Sequence, residues 1–452
     1  MTEMTREIKR AVRLLPILLC LWLVACSSSG PANSHQGSST GTSLPPKGAS
    51  SATFTLGSAD FCSKQLDLSN FCMTPHALRL AYGMEPLIER GLDGRGQTIV
   101  DIVSYGDPTL QQDLKVFDQE FHLPPVSVQQ LAPLGVAPYN PNNIDMSGWA
   151  DETALDVEVM HALAPGAHII VLTSPVDETE GMVGLPQFLQ LEQYAVNHHL
   201  GQIFCESFVA TEVTFPDAQS RQFLQNFASF VQQATTKQGW TFFAASGDHG
   251  ATDYNSVQSI TVSPVRTVNF APDMPWVVAV GGTTLMRNST NNGFVESAWS
   301  GSGGGFSKFF GEPAYQKILP QALQKKFNGQ RGLPDVAADA DPTTGMAIYS
   351  LGQWEMGGGT SASQPLWTAL MAVADQMAGR PLGFINPVLY KIGTSARAKI
   401  DFRDITVGNN TYSGGNVTVQ GYSAAPGWDP VTGFGAPIAN QLLPDLIAAT
   451  RG

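Results

Sequence analysis

Short apolar runs that alternate with helical patterns constrain this 452-residue chain most. Residues 99–103, 168–172, 203–204 and 241–245 read as strands, and residues 151–163, 188–197 and 217–237 read as helices. Strand and helix in turn predict an α/β fold, a mainly parallel central sheet with helices on both faces. From Pro75 onward roughly 375 residues remain, large but acceptable for one such domain.

Three motifs carry chemistry. Gly357-Gly358-Gly359-Thr360-Ser361 runs into Ala362-Ser363-Gln364-Pro365 and an apolar helical pattern with Leu366, Leu370 and Met371. A serine there lies near unpaired backbone N–H groups and the positive end of a helix dipole. That suits a nucleophile whose reaction develops an oxyanion, although a plain helix N-cap has the same composition. A serine needs a base, and the chain has only eight histidines and no His-Gly-Thr-His-like segment. An ordinary Ser-His-Asp arrangement is therefore hard to assemble. Glu152 and Asp156 offer another base: in a helix they lie about 40° apart and roughly 6 Å along the axis, so their side chains meet on one face. Glu158 and His161 point away from that face. A solvated helix surface is the plainer reading of the pair. Third, Phe242-Phe243-Ala244-Ala245-Ser246-Gly247-Asp248-His249-Gly250 ends an apolar strand in a glycine-bracketed carboxylate. Open α/β sheets put their chemistry at strand ends, and an aspartic acid kept neutral donates a hydrogen bond to an oxyanion. An Asp-containing turn is the alternative.

Glu-x-x-x-Asp, then Ser-Gly-Asp, then Gly-Thr-Ser-x-x-x-Pro, in that order, resembles the sedolisin family of serine-carboxyl peptidases. The resemblance runs from about Pro75 to the C-terminus and includes Tyr105-Gly106-Asp107-Pro108, Ala162-Leu163-Ala164-Pro165-Gly166, Gly281-Gly282-Thr283-Thr284 and Gly303-Gly304-Gly305-Phe306-Ser307. It implies a subtilisin-like version of the α/β fold. It implies Ser361 as nucleophile, Glu152 as general base, Asp156 as the group orienting Glu152, and Asp248 as the acid at the oxyanion. A carboxylate base has an intrinsic pKa near ~4 and serves a serine where histidine would be protonated. Asp248 must be protonated to donate, so the expected optimum is acidic. The resemblance further implies one calcium ion per chain, held by side-chain oxygens of Asp404 and Asp429 and main-chain oxygens of Ile405, Ala425 and Gly427. Family members usually carry glycine where Ala425 stands. Two carboxylates with carbonyls suit a hard cation; a metal-free loop pinned by Asp turns fits the same residues. No Cys/His spacing suits zinc.

Arg6, Lys9, Arg10 and Arg13 precede an apolar run over residues 14–25, short for a membrane span but right for a signal-peptide core. Leu23-Val24-Ala25-Cys26 resembles a bacterial lipobox. The expected organisation is a signal peptide at 1–25, a Ser/Gly-rich tether at 26–51, a short segment at 52–74 and a peptidase domain at 75–452. The expected partners are protein or peptide substrates and, through lipid on Cys26, the membrane. Net charge −13 and a pI of about 5.0 argue against nucleic acid. The chain is expected to act as a monomer outside the cytoplasm. Of five cysteines, Cys62 and Cys72 are close enough to staple a loop in an oxidising compartment. Cys205 reads as a packed thiol with no activating group beside it.

Three features depart from the family pattern. Only residues 52–74 stand where relatives carry a long prodomain. Ile203-Phe204-Cys205-Glu206-Ser207-Phe208-Val209 lacks the usual serine- and glycine-rich cleft pattern. His249 follows Asp248 where a small residue is common, and a cation there favours the charged aspartate. An endopeptidase is the expected activity, with a non-catalytic peptide-binding lipoprotein on the same scaffold as the rival.

Overall fold

A computed structural model describes residues 58–66, 72–257, 261–288 and 293–451. The signal, lipobox and tether expected at 1–51, including Cys26, lie outside them.

The strands of the central sheet are β1 (Thr98–Ser104), β2 (Ser127–Leu131), β3 (His168–Ser174), β4 (Ile203–Glu206), β5 (Thr241–Ala245), β6 (Val277–Arg287), β7 (Phe294–Ala298) and β8 (Val336–Asp339). Their order is β8-β6-β5-β4-β1-β3-β2, with every neighbouring pair parallel. Antiparallel β7 pairs with β6 off this path. A hairpin, β9 (Met346–Ser350) with β10 (Gln353–Gly357), stands outside the sheet. The main helices are α1 (Ser58–Gln65), α2 (Leu110–Phe121), α3 (Ile144–Leu163), α4 (Leu185–His198), α5 (Ala218–Gln238), α6 (Thr360–Ala378) and α7 (Ala439–Ala449). The α/β architecture read from the alternating runs is the one observed. Among the described residues no helix is long and apolar enough to cross a membrane.

β1 and β4 are buried along almost their whole length, as strands must be when helices cover both sheet faces. Successive side chains alternate between those faces. Cys205 meets α6 through Gln364, whereas Phe204 stacks on Trp240 and Phe242 on the opposite side.

Two helices extend beyond their sequence-based bounds for local reasons. α3 starts at Ile144 rather than 151, because the Asn143 side chain accepts the Asp145 N–H at 3.0 Å and caps the extra turns. α4 reaches from Leu185 to His198, entered by Pro186 and closed by His199 at positive φ. For α5, Asp217 is the cap rather than the first helical residue.

Candidate active site

Helices α3 and α6 pack on each other across one face of the sheet. Glu152 and Asp156 project from consecutive turns of α3, and Ser361 is the second residue of α6. Glu152 faces Ser361 and Ser207, whose hydroxyls favour its charged form, and its Oε1 is buried without a hydrogen-bond partner. Ser207, just past β4, donates to Asp156 Oδ1 at 2.8 Å. Ser207 is thus a hydroxyl neighbour of both acids, a role the sequence reading did not assign. Glu158 and His161 do turn elsewhere: Glu158 accepts the Tyr349 N–H at 2.8 Å, and His161 meets Asp118 at 2.9 Å.

Asp248 follows the carboxyl end of β5. Its Oδ1 accepts two hydrogen bonds from Thr360, from N–H at 2.7 Å and Oγ1 at 2.8 Å. Thr360 Oγ1 in turn accepts the Gly247 N–H at 3.0 Å, so the residue before the serine locks the two loops together. Gly359 is required there twice over. Its φ is +89°, and a Cβ would lie 2.5 Å from Asp248 Oδ2. Gly359 is thus the N-cap without a side-chain cap, which removes the plain capping role from Ser361.

Two residues that sequence reasoning passed over complete the cluster. Asp101 lies mid-strand on β1, fully buried beside Asp156 and in register with Cys205, and neither of its carboxyl oxygens has a hydrogen-bond partner. Its signal was a lone carboxylate inside the apolar run Ile99-Val100-Asp101-Ile102-Val103. Ser207 was the other, hidden in a strand end without family-like neighbours. Asp101, Asp156 and Cys205 bring their polar atoms within 4.8 Å of one another. Cys205 is the buried, packed thiol expected from the sequence, with two carboxyls as its titratable neighbours. Burial with their charge pushes the thiol pKa up, so Cys205 stays protonated and donates to Gln364 Oε1 at 3.1 Å.

Burial dominates the electrostatics. It pushes Glu152 up to about 8, opposed by the nearby Ser361 hydroxyl and helped by the charges of Asp248 and Asp101. It pushes Asp101 to about 7 and Asp156 well above the carboxylate range. Asp248 is raised by burial, with the Thr360 hydrogen bonds and the His249 charge acting against it. These carboxyls titrate as a group, so the first ionisation belongs to the cluster. His249 carries the neighbouring positive charge. Burial disfavours it, but Asp253, 2.9 Å from Nδ1, raises the imidazole to about 9.

The expected metal loops also converge. Gly427 N–H reaches both carboxyl oxygens of Asp404, at 3.2 and 3.1 Å. Asp429 is buried and accepts N–H groups of Val431, Thr432 and Ala425. Asp404 and Asp429 thus tie Gly427 and Ala425 into one loop pair with Ile405 next in sequence to Asp404, and carboxylates and carbonyls are the donor types a hard cation takes.

The chain as a whole resembles known proteins. Over 368 residues the chain is 34% identical to kumamolisin of Bacillus sp. (strain MN-32), covering 79% of this chain and 61% of that protein. It is 30% identical to sedolisin of Pseudomonas sp. (strain 101) over 352 residues, 75% of this chain and 56% of that protein. The solved structure of Pseudomonas sedolisin, a serine-carboxyl proteinase, superposes with a TM-score of 0.66 at 26% identity, covering 82% of this chain and 97% of that one. The chain is a homologue of the sedolisins. It spans less than two thirds of the length of these curated relatives. Comparison with protein-family models gives no match.

Proposed function

We propose that the chain is a serine-carboxyl peptidase that hydrolyses peptide bonds in acid, acting as an endopeptidase. The observation that carries this reading is the contact of Ser361 with Glu152, inside a carboxyl cluster that has Asp248 close by. In this mechanism Glu152 takes the proton of Ser361 as Oγ attacks the substrate carbonyl. Ser207 and Asp156, backed by Asp101, hold Glu152 and stabilise its charge. Protonated Asp248 donates to the oxyanion, and its orientation is set by Thr360. Glu152 then returns the proton to the leaving amine, and water repeats the cycle on the acyl-enzyme.

Calcium belongs to the same reading: Asp404, Asp429 and the carbonyls of Ile405, Ala425 and Gly427 would hold one ion that ties the loop pair together. Attachment outside the cytoplasm through lipid on Cys26, with the chain acting as a monomer, is part of the proposal and rests on the sequence pattern.

Peptide cleavage is measured from about pH 3 to 7 on wild type and Ser361→Ala, with labelling of Ser361 by a fluorophosphonate. Acid-side cleavage abolished by the substitution is expected. Folded wild type that neither cleaves nor labels at any pH would leave the non-catalytic binding protein as the better reading.

A further inference from the structure

The hairpin β9–β10 connects both halves of the candidate centre. Its far end runs through Gly358, Gly359 and Thr360 into Ser361. Its first strand is bonded to α3 on both sides of the Glu152–Asp156 turn. Ser350 Oγ donates to Asp151 Oδ1 at 2.7 Å, and Tyr349 N–H donates to Glu158 Oε2 at 2.8 Å. Gly357 lies so close to α3 that a Cβ there would meet Leu155 Cδ1 at 2.6 Å. A displacement of this hairpin therefore moves the serine and its base relative to each other.

The outer side of the hairpin is covered by the start of the described chain. Met73 adds to the edge of β9 as a parallel bridge: its N–H donates to Gly345 O at 2.8 Å, and its carbonyl accepts the Ala347 N–H at 2.8 Å. One residue earlier, Cys72 is joined by a disulfide to Cys62 on α1, with 5.8 Å between Cα atoms. The bridge delivers Phe61 to an aromatic nest. Its ring lies 4.9 Å from Trp354 of β10 and 4.9 Å from Phe121 of α2. Trp354 also meets Phe121 at 5.5 Å and Tyr349 at 4.9 Å. Phe61, Cys62, Cys72 and Ala347 form a buried cluster of their own, separate from the main core. A two-stranded hairpin has little stability alone, so this small cluster is what holds its outer face.

We propose that α1, locked by the Cys62–Cys72 disulfide, is a strap that fixes the β9–β10 hairpin and so positions Ser361 against Glu152, with Phe61 as the positioning residue. The strap touches no reacting atom and acts only through the hairpin. Its catalytic consequence rests on the peptidase reading above, but its mechanical part does not.

The test uses the full chain with Phe61→Ala, with Cys62→Ala/Cys72→Ala, with the volume-conserving Phe61→Leu, and with exposed Gln65→Ala as control. Amide hydrogen exchange across 346–360 reads the hairpin, while fluorophosphonate labelling and kcat against KM read the centre. Expected are faster exchange confined to the hairpin and a fall in labelling rate and kcat of about tenfold in Phe61→Ala, with KM nearly unchanged. Phe61→Leu should recover most of both, which a variant that merely unfolds would not. Unchanged exchange at 346–360 in folded Phe61→Leu and in either disrupted variant overturns the strap, whether or not the wild type cleaves peptides. Loosened exchange with unaltered Ser361 labelling overturns its positioning role. If wild type itself fails to label, the peptidase reading falls and exchange alone decides the strap.

Discussion

Asp101 sits on β1 with no solvent contact and lies beside Asp156, so two carboxyls share the space behind Glu152. Its charge is one of the influences that raise both Glu152 and Asp156. Asp101→Asn removes that charge and keeps the shape. The remaining acids then ionise at lower pH, and the acid limb of kcat/KM should move downward, with kcat reduced about tenfold by the altered support for the base. An acid limb that stays in place would sever Asp101 from the proton inventory of the site. His249 acts on the other limb. Its positive charge, held by Asp253, opposes the burial that keeps Asp248 protonated. His249→Gln should let Asp248 hold its proton to higher pH, so the alkaline limb moves upward. A uniform loss of rate at all pH values would instead mark His249 as a packing residue between Tyr254 and Tyr412.

At the scale of elements, the parts legible in the sequence were those with a strong local signature. The Gly-Thr-Ser turn, the Glu152–Asp156 spacing and the glycine-bracketed Asp248 each declare a backbone need or a shared helix face. The place of Ser207 beside the two acids was not legible, because it depends on β4 lying beside β1, a consequence of strand order. The N-terminal turns of α3 were missed because Asn143 caps a helix whose first residues are mixed in polarity. The loops around Asp404 and Asp429 fall between these cases: their residues suited a cation, but only the fold brings Gly427 N–H to Asp404. Calcium removal is expected to loosen that loop pair. Binding at a hundredfold excess over Kd contributes about 2.7 kcal/mol to stability, so chelation should lower Tm by several degrees, and Asp404→Asn/Asp429→Asn should erase the difference. A Tm indifferent to chelator, with no calcium found by elemental analysis, would leave a metal-free loop.

The whole molecule carries acid groups in places where a charge is costly, and the pair Glu192–Glu206 shows the consequence most cleanly. Glu192 on α4 and Glu206 on β4 are both fully buried, on the sheet face opposite Cys205 and the candidate site. None of their four carboxyl oxygens has a hydrogen-bond partner. Burial, with the charge of Glu206, pushes Glu192 well above the carboxylate range, and burial alone takes Glu206 to about 8. The unfolded chain releases these protons near 4.5, the ordinary glutamate value. The folded state therefore binds more protons than the unfolded one between those limits. Stability is fully present below about pH 4.5 and is lost as pH rises through about 8. The fold would thus be strongest in the range where the proposed chemistry runs. Denaturant unfolding of Ser361→Ala across this window separates stability from self-digestion. Glu192→Leu/Glu206→Leu replaces both acids with apolar groups of similar size, as the surrounding Phe188 and Leu191 favour, and should flatten the decline on the alkaline side. Parallel curves for parent and double variant would assign the pH dependence to the carboxyls of the candidate site instead.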